Sequence, residues 1–348
     1  MMRPLHKLLH KEALLGFSLL LLLTGCTTSG NETVPSTTEE QTPVITEETN
    51  EQSESDVPPT QPAPPDAANE PAEPSSQPMQ PIAKAASAKD AIASLEAQLP
   101  AQSPAQADQL MTELEAFYRE HDQQLAEQFI AEPYFSTLQQ LSVPISKEDL
   151  ENLPEPAHTL VADAIAGKYR LVEGEGIVYP IVDYRALLDY APYLSEAMSE
   201  YLKLMAEESD VPSMSDAAVS IPWEELSKRT LAAETYLDNY PDSPRHMNVK
   251  GMLQRNLVVM LNGSSNTSVF ENGFRLKADV KAALTQAAAS SDTTFTGEIA
   301  KQYLALIDEI SANYSAQETI DSNDPNYNRI SRFIDSVMGR IEKEMQPV

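Results

Sequence analysis

NYNRISRFIDSVMGRIEKEM, running from Asn326 to Met345, is the stretch that decides the fold. Ile330, Phe333, Ile334, Val337, Ile341 and Met345 recur at steps of three and four, which puts them on one face of an α-helix and the charged residues on the other. Asp324 is placed to cap this helix and Pro325 to open its first turn, since proline has no N–H to leave unbonded there. A helix with a single apolar face is stable only against a partner, so more helices are expected upstream.

Working outward from it, the same rhythm returns several times. Pro104 to Ala131 carries Leu110, Leu114, Phe117, Tyr118, Leu125 and Phe129 along one stripe of a long helix. Leu226, Ala233, Tyr236, Leu237 and Tyr240 form a second stripe, and Val249, Leu253, Leu257, Met260 and Leu261 a third. Ile299, Tyr303, Leu306, Ile307, Ile310 and Tyr314 form a fourth. Asn262-Gly263 is expected to end one helix, Asn272-Gly273 to turn the chain before a helix beginning near Leu276, and Pro222 to open the helix at Trp223. The expected fold is therefore mainly α, a helical bundle or layered helical array.

One segment departs from helix. KYRLVEGEGIVYPIVDY, Lys168 to Tyr184, has β-branched and aromatic residues around Gly174 and Gly176, which predicts a small hairpin or extended insertion. Pro180 argues against a central strand, because it cannot donate to a ladder on both sides. AAETYLDNYPDSPRHMNVKGML, Ala232 to Leu253, resembles one helix-turn-helix joint of tetratricopeptide-type lipoproteins. The likeness covers one turn of a unit of about 34 residues and does not repeat; two antiparallel helices joined at 241–244 account for it equally.

The other end of the chain is built differently. Residues 1–25 combine Arg3, Lys7 and Lys11, an apolar run from Ala13 to Leu23, and the small residues Thr24 and Gly25, the plan of an export signal. The run falls short of the about 20 apolar residues that a membrane span needs. Leu23-Thr24-Gly25-Cys26 resembles the lipobox of bacterial lipoproteins. That resemblance implies cleavage before Cys26, a diacylglyceryl group on its thiol, and residence on the extracytoplasmic face of a cell membrane. More than one acyl chain is needed for durable attachment, and a lipobox lipid meets that need.

Residues 26–85 follow as an expected spacer of Thr, Ser, Glu, Gln, Pro and Ala, too poor in large apolar residues to offset the entropy of ordering. Eleven acidic residues from Glu32 to Glu73, with no Lys or Arg among them, push it toward extension, to between roughly 40 and 180 Å. Residues 86–348 are left for a helical extracytoplasmic domain.

Charge narrows the function classes. Loss of residues 1–25 removes three basic residues and one acidic one, taking the formal net charge from −29 to −31. About −20 of that belongs to residues 84–348, a balance that repels phosphate backbones and makes nucleic acid an unexpected partner. Cys26 is the sole cysteine, so no disulfide, zinc–thiolate site or thiol nucleophile is available to the domain.

Catalytic signatures are sparse. His121, His158 and His246 fall in no close metal-binding pair, and none sits in the GxHxxE motif of imelysin-like helical lipoproteins; His246, just after a proline turn, is the least ordinary of them. Neither a G-x-S-x-G elbow nor a phosphate loop is present, and Asp321 to Asn326 reads as a helix cap rather than a calcium loop. No cofactor, metal site or catalytic residue is assigned on this reading.

The candidate ligand-binding residues are Glu173, Glu175, Tyr179, Asp183 and Tyr184, two carboxylates in a bent, glycine-rich segment beside aromatic rings; a solvated turn with a tyrosine core accounts for the same pattern. The expected role is a helical module held off the membrane through lipid on Cys26, binding an envelope protein, a peptide or a wall component. The alternative is an envelope hydrolase that uses Glu173 and Glu175 as acid and base.

Overall fold

The computed structural model describes residues 81–347. The lipobox, Cys26 and nearly all of the acidic spacer lie outside the described residues. Among those described, the fold is mainly α-helical with two small antiparallel sheets. Its core takes in Ile82, fully buried in a short 3-10 turn, a few residues before the expected boundary near residue 85.

The first group of elements surrounds one long helix. α1 (Ala88–Gln98) is capped by Ser87, whose Oγ accepts the Asp90 N–H at 3.2 Å. α2 (Pro104–Phe129) opens with Pro104 at its first turn and a Ser103–Gln106 capping box, and it buries Met111, Leu114, Phe117 and Tyr118. The sequence stripe placed Leu114, Phe117 and Tyr118, but not Met111, and it did not announce Glu115, which is buried among them. The short helices α3 (Tyr134–Leu138) and α4 (Lys147–Asn152) lead to α5 (Ala157–Ala166), which packs on α1.

The expected insertion is a hairpin of β1 (Tyr169–Gly174) and β2 (Ile177–Val182), in register from Tyr169 opposite Val182 to Gly174 opposite Ile177. Glu175 and Gly176 form its two-residue turn, both with positive φ (53° and 75°), the mirror-image turn whose twist suits a hairpin. In a two-stranded ribbon every strand is an edge, so Pro180, opposite Leu171 in β2, costs no central ladder. α6 (Tyr184–Leu187) and α7 (Glu196–Asp210) follow, and α7 packs on the next helix, joining the first group to the second. A two-residue ribbon, β3 (Met214–Ser215) with β4 (Ala218–Val219), lies between.

The second group is the bundle that the stripes anticipated: α8 (Trp223–Asn239), α9 (His246–Asn262), α10 (Ala278–Ala288), α11 (Phe295–Ser311) and α12 (Pro325–Glu344). α8 packs on α9 and α10, α10 on α11, and α12 on α9 and α11. Asp324 caps α12 as expected, accepting the Asn326 N–H at 2.8 Å. Gly263 ends α9 at φ 74°, where a Cβ would come within 2.2 Å of the Thr267 carbonyl oxygen. α10 begins two residues later than the sequence suggested, because Leu276 pairs with Phe270 in an isolated bridge first.

Polar ties hold the bundle in register. Buried Glu234 of α8 reaches the start of α11, accepting the backbone N–H groups of Phe295 and Thr296, the latter at 2.8 Å. A carboxylate there satisfies two donors that a helix start leaves unbonded and meets the positive end of its dipole. Buried Lys250 of α9 pairs with Glu342 of α12 at 2.6 Å, and His246 places Nε2 3.1 Å from the Met345 carbonyl oxygen.

Candidate functional site

The five residues singled out in the hairpin segment part company in the fold. Glu173 and Glu175 are exposed at the hairpin tip. Tyr179 lies across the ribbon over Gly174, where a Cβ would meet its ring at 3.3 Å, so the glycine leaves room for the ring. Asp183 is the cap of α6, accepting the Ala186 N–H at 3.0 Å. Tyr184 turns inward instead, and its hydroxyl donates to Glu115 Oε1 at 3.0 Å.

That inward turn leads to a polar group that sequence reasoning missed. Glu115 Oε1 also accepts the hydroxyl of fully buried Tyr201 at 2.9 Å. Glu115 Oε2 meets Arg245 Nη2 as a charge pair, without a well-aligned hydrogen bond. The same guanidinium donates to Thr112 Oγ1 at 3.0 Å and lies over the Tyr201 ring, 5.2 Å from its centroid. Burial, reinforced by the neighbouring Glu115 charge, holds the Tyr184 and Tyr201 phenols well above their ordinary pKa. Glu115 and Arg245 are each only 5 % exposed, so this is an interior tie between α2 and the head of α9.

Among the described residues, two surface clefts stand out. The first, of about 470 Å³, lies between α2, α5 and the start of α1, with His121, Glu155 and Tyr134 in its wall. His121 Nδ1 is 2.8 Å from the Phe117 carbonyl oxygen, and its ring stacks on Phe117 at 3.9 Å. Since a carbonyl can only accept, Nδ1 carries a proton in that bond. The histidine is thereby held as part of the helix surface.

The second cleft, of about 540 Å³, lies between the end of α9, the loop 264–276 and the first turns of α12. Its apolar floor includes Val258, Phe270, Ile330 and Ile334, and Tyr327 stands at its edge with 42 % of its surface exposed. The Tyr327 ring is held edge-on to buried Phe274, with centroids 4.9 Å apart. Ser264 lines the same cleft, and its Oγ is buried with no hydrogen-bond partner. An unbonded buried hydroxyl costs about 1–3 kcal/mol, so it marks a place where a partner is owed. Asn262-Gly263 and Asn272-Gly273, legible in the sequence as turns, are the corners that shape this wall.

Comparison with protein families, with curated proteins and with solved structures finds no match to this chain.

Proposed function

We propose that this protein is a binding module of the bacterial cell envelope, tethered through lipid on Cys26 and taking its ligand in the cleft between α9, the 264–276 loop and α12. The observation that carries the reading is the unsatisfied Ser264 Oγ in the wall of a preformed cleft with a semi-exposed aromatic ring at its edge. The cleft has the size of small-ligand sites and their mixture of an apolar floor with a few convergent polar groups. The lipobox-like Leu23-Thr24-Gly25-Cys26 and the acidic spacer after it supply the tether. A hydrolase built on Glu173 and Glu175 draws no support from a hairpin tip that leaves both carboxylates outside either cleft.

The test compares capture from solubilised envelope by the full chain, by its Tyr327→Ala/Ile334→Ser variant, and by an anchored spacer without the domain. Cleft-dependent capture, absent from both controls, is expected. Equal recovery by the spacer alone would remove the binding reading. In the same cells, Cys26→Ser is expected to move the protein from the detergent phase to the aqueous phase, and no change in partition would remove the tether.

A further inference from the structure

We infer that the ligand of this cleft is an uncharged, N-acylated saccharide. The inference rests on the binding-module reading and specifies its ligand class. Asn262, Ser264, Asn272, Thr319 and Ser331 line the cleft with hydroxyls and side-chain amides, while the Ser268 hydroxyl is already tied to the Phe270 backbone, donating to its carbonyl oxygen and accepting its N–H. Such groups both donate and accept, which matches the alternating donors and acceptors of a sugar's hydroxyls. Glu271 is the one charged side chain in the wall, and it is exposed; no Lys or Arg lines the cleft. A phosphorylated or carboxylated ligand would find no counter-charge there, and the net negative charge of the domain would repel it.

Aromatic and aliphatic surface completes the match. The apolar face of a sugar ring, made of C–H groups, packs on an aromatic ring held rigid, and the contact of Tyr327 with Phe274 supplies that rigidity. Ile320 and Ile334 add an aliphatic patch beside the polar wall, suited to an acyl methyl next to an amide. An extended peptide is the weaker fit. Peptides are captured by main-chain pairing along a strand edge or by charge at their termini, and here the loop's Ser264–Thr267 and Phe270–Leu276 bridges turn main-chain groups toward each other.

The Ser264 hydroxyl gives the proposal a distinctive signature. In the free protein it is buried without a partner; a rotation about its Cα–Cβ bond presents it to a ligand hydroxyl. Removing it should relieve the free protein and weaken the complex, two effects of opposite sign that a purely structural serine would not show.

The experiment is saturation-transfer NMR and calorimetry on the full chain in detergent. The probes are an N-acetylglucosamine tetramer, a glucose tetramer without acetyl groups, and an uncharged N-acetylated hexapeptide. The acetylated tetramer is expected to bind with its methyl protons most strongly saturated. Tyr327→Ala should weaken it about tenfold and Tyr327→Phe less than threefold. Ser264→Ala should raise the melting midpoint by about 2–4 °C while weakening the sugar several-fold. Preference for the glucose tetramer or the peptide, with cleft-dependent envelope capture intact, would overturn the saccharide assignment and leave the binding module standing. Absence of both sugar binding and cleft-dependent capture would overturn the two together.

Discussion

The tip of the β1–β2 hairpin and the junction of α2 with α9 both hold glutamates near tyrosines, and they behave in opposite ways. At the tip, Glu173 and Glu175 stand in water, where a pair of like charges is cheap to keep and does little. At the junction, a single carboxylate, Glu115, is enclosed with one guanidinium and two phenols. Enclosure makes every missing partner costly. Two carboxylates close in sequence thus say less about energetics than one carboxylate closed off from solvent by residues 69 to 130 positions away.

Three outcomes sharpen that contrast. The largest concerns the interior as a whole. Burial raises the phenol pKa of Tyr118, Tyr184, Tyr201 and Tyr303, because the charged form is desolvated. A raised folded-state pKa means the stabilisation is complete below the unfolded value near 10 and is lost as pH rises beyond it. The share of tyrosinate absorbance that belongs to these four rings, beyond what exposed phenols such as Tyr327 contribute, should therefore appear only in a cooperative step with the loss of helical circular dichroism. Ionisation of all thirteen tyrosines with the helices intact would contradict the enclosure of these rings.

Next comes the charge pair. Glu115→Ala should cost about 3–5 kcal/mol in urea unfolding, since it strands Arg245, and Arg245→Met should cost a similar amount. The double change Glu115→Leu/Arg245→Met should recover most of the loss, because no buried charge is left. Additive penalties in that cycle would show that the two side chains do not act as a pair.

The smallest effects belong to the hairpin. Glu173→Gln with Glu175→Gln should leave stability within about 0.5 kcal/mol of the parent. Glu175→Asn should raise it by about 0.5–1 kcal/mol, because asparagine tolerates the positive φ at this position better and makes the preferred Asn-Gly turn. A larger loss from the double glutamine variant would show that the tip carries more than a turn.

The helices were legible because their apolar residues repeat at the helical period, and Asp324-Pro325 and Asn262-Gly263 marked ends that chain stereochemistry enforces. The hairpin was legible from Gly174, Gly176 and the β-branched and aromatic residues around them, though which two residues make the turn was not. Glu115 was not, since one acidic residue among 53 carries no mark of burial, and its partners arrive from α6, α7 and the start of α9. The α9–α12 cleft was hidden for the same reason. Ser264 and Tyr327 are 63 positions apart, and only the packing of α12 on α9 brings their segments to one surface.

Arg245 stands at the head of α9, and Asn262, at the other end of that helix, forms part of the wall facing Tyr327. A helix bolted at its base to α2 by a shielded charge does not swing at its far end without dragging that bolt. On the proposed binding reading, the recess between α9 and α12 keeps its shape through the fold, and its ligand is selected by fit rather than moulded around. Specificity of that kind is lost with the fold itself, so a substitution at Glu115, remote from the recess, should weaken capture only as far as it unfolds the domain.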